Sequence, residues 1–165
     1  MTPTSTVSYR FGDLLALARQ SWIGQMAEGL GARGYDDYRR SDAAVMRILL
    51  RGPMSIGRLG EALGVTRQAA RKVVDGLERR RLATTARGDR DSRQVNVFLT
   101  ADGAAYADAV VAVIERLNRD LSQTVDPAAL AAADAVLRAV LADDHTRALA
   151  EHLAHPSAGE PRPGS

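Results

Sequence analysis

The stretch SIGRLGEALGVTRQAARKVVDGLERRRL, residues 55–82, decides the fold. Ser55 can cap a helix running IGRLGEAL, which stops at Gly64, where a left-handed backbone costs glycine little. Thr66 can cap a second helix that starts at Arg67. In it Ala70, Val73, Val74 and Leu77 fall at i, i+3, i+4 and i+7 and bury one face. Leu59 and Leu63 meet that face from the first helix, and Val65 is expected to plug the angle between the two. The outward residues at the start of the second helix are then Arg67, Gln68, Arg71 and Lys72, beside the cap Thr66, with Asp75 further round. This is the layout of a helix-turn-helix whose second helix enters the major groove of DNA. Arg can bond guanine O6 and N7 in a pair, and Gln can do the same with adenine. The helix N-terminus adds partial positive charge for a phosphate.

A plain helical hairpin with a basic surface would look the same up to this point. The residues downstream separate the two. ATTAR (83–87) and QVNVFL (94–99) are β-like runs around the turn GDRDSR (88–93). In the second run Val95, Val97 and Leu99 alternate with Gln94, Asn96 and Phe98, a period of two. A turn needs polarity and a glycine, but not this many guanidinium groups. Arg87, Arg90 and Arg93 are candidates for phosphate or minor-groove contact, and Asp91 for orienting an Arg or bonding loop amides. Helix-turn-helix plus basic-tipped hairpin makes a winged helix-turn-helix.

Charge distribution agrees. Residues 66–93 hold nine basic groups and four acids, about +5, inside a chain whose net charge is only +2. A basic patch in a near-neutral chain is the footprint of a nucleic-acid site.

The flanks are helical. Phe11, Leu14, Leu15, Ala18, Trp22, Met26 and Leu30 form one stripe; GARGYDDYRR (31–40) reads as a linker. Ser41 or Asp42 can cap a helix over AAVMRILL, ended by Gly52-Pro53. Thr100 caps a long helix with a stripe of Ala107, Val110, Val111, Ile114, Leu117 and Leu121. Asp126-Pro127 starts another, carrying Leu130, Ala133, Leu137, Val140 and Leu141, which can run on to Leu153. The fold class is therefore mainly α with a small β-hairpin. Residues 7–40 and 101–154 are expected to form a helical dimerisation lobe, 41–100 the DNA-binding lobe, and 1–6 and 155–165 disordered tails.

Composition bounds the rest. With aromatics at 4%, the core must be mostly Leu, Val and Ala. The absence of Cys removes disulfides and thiol chemistry. No apolar run is long enough for a membrane span, and the N-terminus lacks a secretory layout, so a cytoplasmic protein without membrane contact is expected. No nucleophile–base pair or metal cluster is visible, so neither an enzyme nor a cofactor is expected. His152 and His155 have a metal-compatible spacing but no third ligand.

The segment LGEALGVTRQAARKVVDGLERRRLA, followed by GDRDSRQVNVFLTADG, resembles the MarR family of bacterial transcription regulators. Asp91, Arg93, Leu99, Thr100 and Gly103 hold the places of that family's wing signature. Ser92 stands where many members have a second Arg, and Gly88-Asp89 where many have Asp-Pro. The resemblance implies a homodimer whose terminal helices interlock and whose lobes read half-sites of a near-palindrome in double-stranded DNA. It also implies a repressor released by a small phenolic or anionic effector bound between the lobes. Trp22, Met26, Tyr38 and Met46, with Tyr35, are candidates to line that pocket; the competing reading is core packing. The alternative function is a DNA-binding regulator without an effector, controlled by abundance or a protein partner.

Overall fold

The computed structural model describes residues 8–87, 94–141 and 146–154. The chain runs α1 (Phe11–Gly31), α2 (Asp42–Leu49), β1 (Met54–Ser55), α3 (Ile56–Leu63), α4 (Arg67–Arg79), β2 (Ala83–Arg87), β3 (Val95–Leu99), α5 (Ala101–Thr124), α6 (Pro127–Val140) and α7 (Arg147–Leu153).

The helix starts follow from local chemistry. Side-chain oxygens of Ser55, Thr66, Thr100 and Asp126 accept from the amides of Arg58, Ala69, Gly103 and Ala128, filling donors that a helix leaves open. At the other end of α3, Gly64 takes φ 66°, the left-handed conformation expected of it. Neither Ser41 nor Asp42 caps α2 through its own amides, contrary to expectation. Asp42 is instead drawn inward by partners far away in sequence.

Strands β2 and β3 pair antiparallel from Ala83 opposite Leu99 to Arg87 opposite Val95. A third strand, absent from the sequence reading, adds to the hairpin: β1 pairs Met54 with Val97 and Ser55 with Asn96, giving the order β1-β3-β2. Two residues are too few to show an alternation. The extra strand fastens the hairpin to the first turn of α3.

The core gathers Met26 and Leu30 of α1, Val45, Met46 and Ile48 of α2, Leu59 of α3, Ala70, Val74 and Leu77 of α4, Val97 of β3, and Tyr106, Val110 and Val113 of α5. Tyr106 and Val113 belong to the buried face of α5 although the apolar stripe read from sequence omitted them. Val65 does not plug the inter-helix angle; it stays 42% exposed.

Outside that core the apolar stripes find no cover. The N-terminal half of α1 exposes Phe11, Leu14 and Leu17. Helix α6 buries no residue, and Val136, Leu137 and Val140 stand open. Between α1 and α6 lies an apolar groove of about 560 Å³, lined by Phe11, Leu14, Leu15, Ala18, Ala132, Ala133, Val136 and Leu137. The last helix does not run on unbroken: α6 ends at Val140 and α7 is separate, packing on α2 and α3. There Arg47 and Arg51 of α2 donate to the carbonyls of Leu153 and Ala154, at 2.6 and 2.9 Å.

Candidate nucleic-acid interface

Helix α4 lies with Ala70, Val74 and Leu77 against the core, so the opposite face is open by geometry. Arg67, Gln68, Arg71 and Lys72 are all exposed on its first two turns. Thr66 is exposed too, but its hydroxyl oxygen is engaged as the cap, at 3.2 Å from the amide of Ala69. Arg71 is not idle either: its Nε donates to Asp75 Oδ1 at 2.8 Å, one turn further along. Both side chains are partly solvated, so the pair is weak and Arg71 can swing away at small cost.

The hairpin stands beside this helix and is tied to it. Thr85 of β2 donates its hydroxyl hydrogen to Glu78 Oε1 at 2.8 Å, joining the wing strand to the last turn of α4. Arg87 is exposed at the end of β2, pointing the ladder toward the turn. That turn, residues 88–93, lies outside the described residues, and with it Arg90, Asp91 and Arg93.

One member of the basic window faces inward. Arg80, counted with the surface charges from sequence, has a side chain only 8% exposed. Its Nη1 donates to Asp42 Oδ2 at 2.9 Å, and its Nε and Nη2 fork onto the two carboxylate oxygens of Asp37 at 2.6 and 3.0 Å. Asp42 Oδ2 also accepts from the Tyr106 hydroxyl at 2.7 Å and from the Arg39 amide at 3.0 Å. The Arg80 guanidinium lies 5.2 Å from the centre of the Tyr106 ring, and Tyr35 meets that ring edge-on at 4.9 Å. The Arg80 hydrogen bond holds the Asp37 carboxyl below its ordinary value. Burial and the Asp42 carboxylate push the Tyr106 phenol up. The sequence shows every member of this cluster, but partners 38, 43 and 64 positions apart leave no local pattern to read.

A cavity of about 280 Å³ opens beside the cluster, lined by Tyr35, Asp37, Arg80, Leu82, Asp102, Ala105 and Tyr106. Of the residues expected to form a pocket, Tyr35 lines this cavity and the others do not. Met26 and Met46 are fully buried in the core, and Trp22 and Tyr38 pack against it partly buried. No group of three or more His, Cys, Asp or Glu residues is placed to hold a metal among the described residues. No helix among the described residues is long and apolar enough to cross a membrane.

Residues 37–94 match the model of the MarR family. No curated protein matches the chain in sequence. Solved structures do match in fold. BpsR of Bordetella bronchiseptica, whose DNA binding is regulated by 6-hydroxynicotinic acid, is 23% identical with a TM-score of 0.66, over 84% of this chain and 100% of that one. MarR of E. coli in complex with operator DNA is 22% identical with a TM-score of 0.67, over 79% and 92%. PcaV of Streptomyces coelicolor, solved with its natural ligand, is 20% identical with a TM-score of 0.67, over 82% and 97%. At such identities the likeness establishes the winged-helix fold.

Proposed function

We propose, starting from a winged helix-turn-helix that matches the MarR family, that this chain is a homodimeric, sequence-specific DNA-binding transcriptional regulator. Its role on this reading is that of a repressor, released from a near-palindromic operator by a small molecule. The observation that carries the reading is the open face of α4, where Arg67, Gln68, Arg71 and Lys72 stand exposed over a helix seated firmly in the core. Arg67, Gln68 and Arg71 read bases; Lys72 and Arg87 neutralise phosphates, with Arg90 and Arg93 at the wing tip and Asp91 orienting them.

A second copy is the natural occupant of the α1/α6 groove. Monomers rarely leave so continuous an apolar surface uncovered. Helix α6, with no buried residue of its own, gains a core only by packing on a partner. In a twofold dimer the two α4 helices are equivalent, as reading an inverted repeat requires. Residues 7–40 together with α5 and α6 form the dimerisation lobe, and 41–100 the DNA-binding lobe. Helix α7 goes with the latter, because it packs on α2 and α3.

The effector reading draws on BpsR and PcaV, whose structures concern a regulating acid and a natural ligand. In this chain the cavity beside Tyr35 and Tyr106 is better placed than the Met26–Met46 region, which side chains fill. The test of the whole is selection of binding sites from random duplex DNA, with affinity read at two salt concentrations. An inverted repeat with half-sites about one helical turn apart supports the reading. Steep salt dependence with no recovered motif contradicts sequence-specific regulation.

A further inference from the structure

The C-terminal end of α4 is joined to α5 at three points. The first is the buried cluster, where Arg80 reaches Asp42 and Asp42 accepts from Tyr106 of α5. In the second, the Thr100 hydroxyl, at the cap of α5, donates to the Arg81 carbonyl at 2.6 Å, and its amide donates to the Leu82 carbonyl at 3.1 Å. The third is steric. Gly103, in the first turn of α5, sits so close to Leu82 that a Cβ there would overlap the Leu82 carbonyl. Residues 80–82, directly after the helix proposed to read DNA, are thus held without slack against the start of the long helix leading to the proposed dimer lobe.

The lever arm shows why this matters. Helix α4 has 13 residues, about 20 Å at 1.5 Å per residue. A tilt of about 5° at the Arg80 end therefore moves Arg67 by nearly 2 Å, more than the whole range of hydrogen-bond lengths. Groups that pin the far end fix where the near end falls.

We infer that Arg80, Asp42 and Tyr106 are positioning residues for operator recognition: they fix α4 on α5 and so set the separation of the two recognition helices, without touching DNA themselves. Asp37 completes the joint from outside, its side chain 59% exposed while it holds two of Arg80's nitrogens. A role in folding alone would need no such alignment, since an apolar cluster of equal volume serves stability as well as a buried ion pair. This inference rests on the DNA-binding reading above.

The experiment measures affinity for the selected operator and for versions whose centre is lengthened or shortened by single base pairs. Wild type, Tyr106→Phe and Asp37→Asn are compared, each checked for its fold by circular dichroism. Tyr106→Phe removes one donor to a buried carboxylate, and about a tenfold loss on the best-spaced operator is expected. Off-spaced operators should lose less, so the spacing preference flattens, while binding to random duplex stays as in wild type. Asp37→Asn alters only an exposed side chain and should flatten the preference in part, which keeps the test available if Tyr106→Phe does not fold. A spacing preference equal to wild type in the folded variants overturns the inference and leaves DNA binding standing. A uniform loss on all duplexes also overturns it, since that is what mere destabilisation gives. Wild type that binds no DNA removes the functional reading itself.

Discussion

The Tyr106 hydroxyl donates to Asp42 Oδ2 at 2.7 Å, across 64 positions of sequence, where both side chains are buried. Asp42 Oδ2 takes two further donors, the Arg39 amide and Arg80 Nη1, so three donors offset the cost of holding this carboxylate in the interior. Tyr106→Phe keeps the ring and removes one of these donors. Stability is expected to fall by about 1–3 kcal/mol, the cost of leaving a charged acceptor short of a partner. Urea unfolding monitored by circular dichroism reads this as a lower midpoint at unchanged slope, and an unchanged midpoint refutes it.

The outer half of the joint titrates. The Arg80 hydrogen bond holds the Asp37 carboxyl below its ordinary 3.8, so the folded state binds that proton less readily than the unfolded chain. The stabilisation is present in full above the unfolded value and disappears as pH falls through the folded one. The difference in stability between wild type and Asp37→Asn should thus be constant from neutral pH down to about 5 and shrink below 3.8. Because Asp37 is mostly solvated, the difference is expected to be at most about 1 kcal/mol. A gap of the same size at pH 2 contradicts the assignment.

Two glycines should respond oppositely to alanine. At Gly103 a Cβ meets the Leu82 backbone, which cannot yield without moving the start of α5. Gly103→Ala should destabilise by about 1–3 kcal/mol, as overpacking does. At Gly57, in the first turn of α3, the closest atom to a Cβ is Ser55 Oγ at an ordinary 3.9 Å. Gly57→Ala should stabilise by about 0.4–1 kcal/mol by reducing the freedom of the unfolded chain. Thermal melts of the two variants should move in opposite directions.

The α1/α6 groove gives a prediction about assembly. Leu14 and Leu137 line it and are 52% and 41% exposed in the single chain. Leu14→Glu with Leu137→Glu should leave the helical content intact and convert a dimer into monomer by sedimentation equilibrium. A dimer that survives both changes must use another face.

On α4, Lys72→Ala should weaken operator binding evenly across sequences and lower the salt slope by about 1, as loss of one phosphate contact does. Arg71→Ala should cost about 1–3 kcal/mol and relax the preference at one base position. Equal effects of the two on all duplexes would mean that neither reads a base.

What the sequence showed clearly was what short range decides. The caps Ser55, Thr66, Thr100 and Asp126 and the stop at Gly64 are each set by residues within four positions, and all appear in the structure. The exposed face of α4 follows from its buried one, so the periodicity alone places Arg67, Gln68, Arg71 and Lys72 outward. Pairings across the fold were not legible. Asp42 looked like a cap because nothing nearby shows Tyr106 or Arg80 arriving from other elements. Strand β1 was missed because two residues carry no period. Met26 and Met46, read as either pocket or core, are buried because the elements around them close over both.

Arg79, Arg80 and Arg81 are one letter written three times, yet they do not share a substitution tolerance. Arg79 is exposed, and Lys there retains all that solvent and a phosphate ask of it. Arg80 grips two carboxylates with a planar fork, and Lys can replace its charge but not its three-point reach. Arg81 has φ 59°, a conformation in which glycine or asparagine is at ease and arginine is not. The first position should therefore accept any basic residue, the second only arginine, and the third residues with no charge at all. A tally of arginines sees a single basic run where the backbone has made three separate sites.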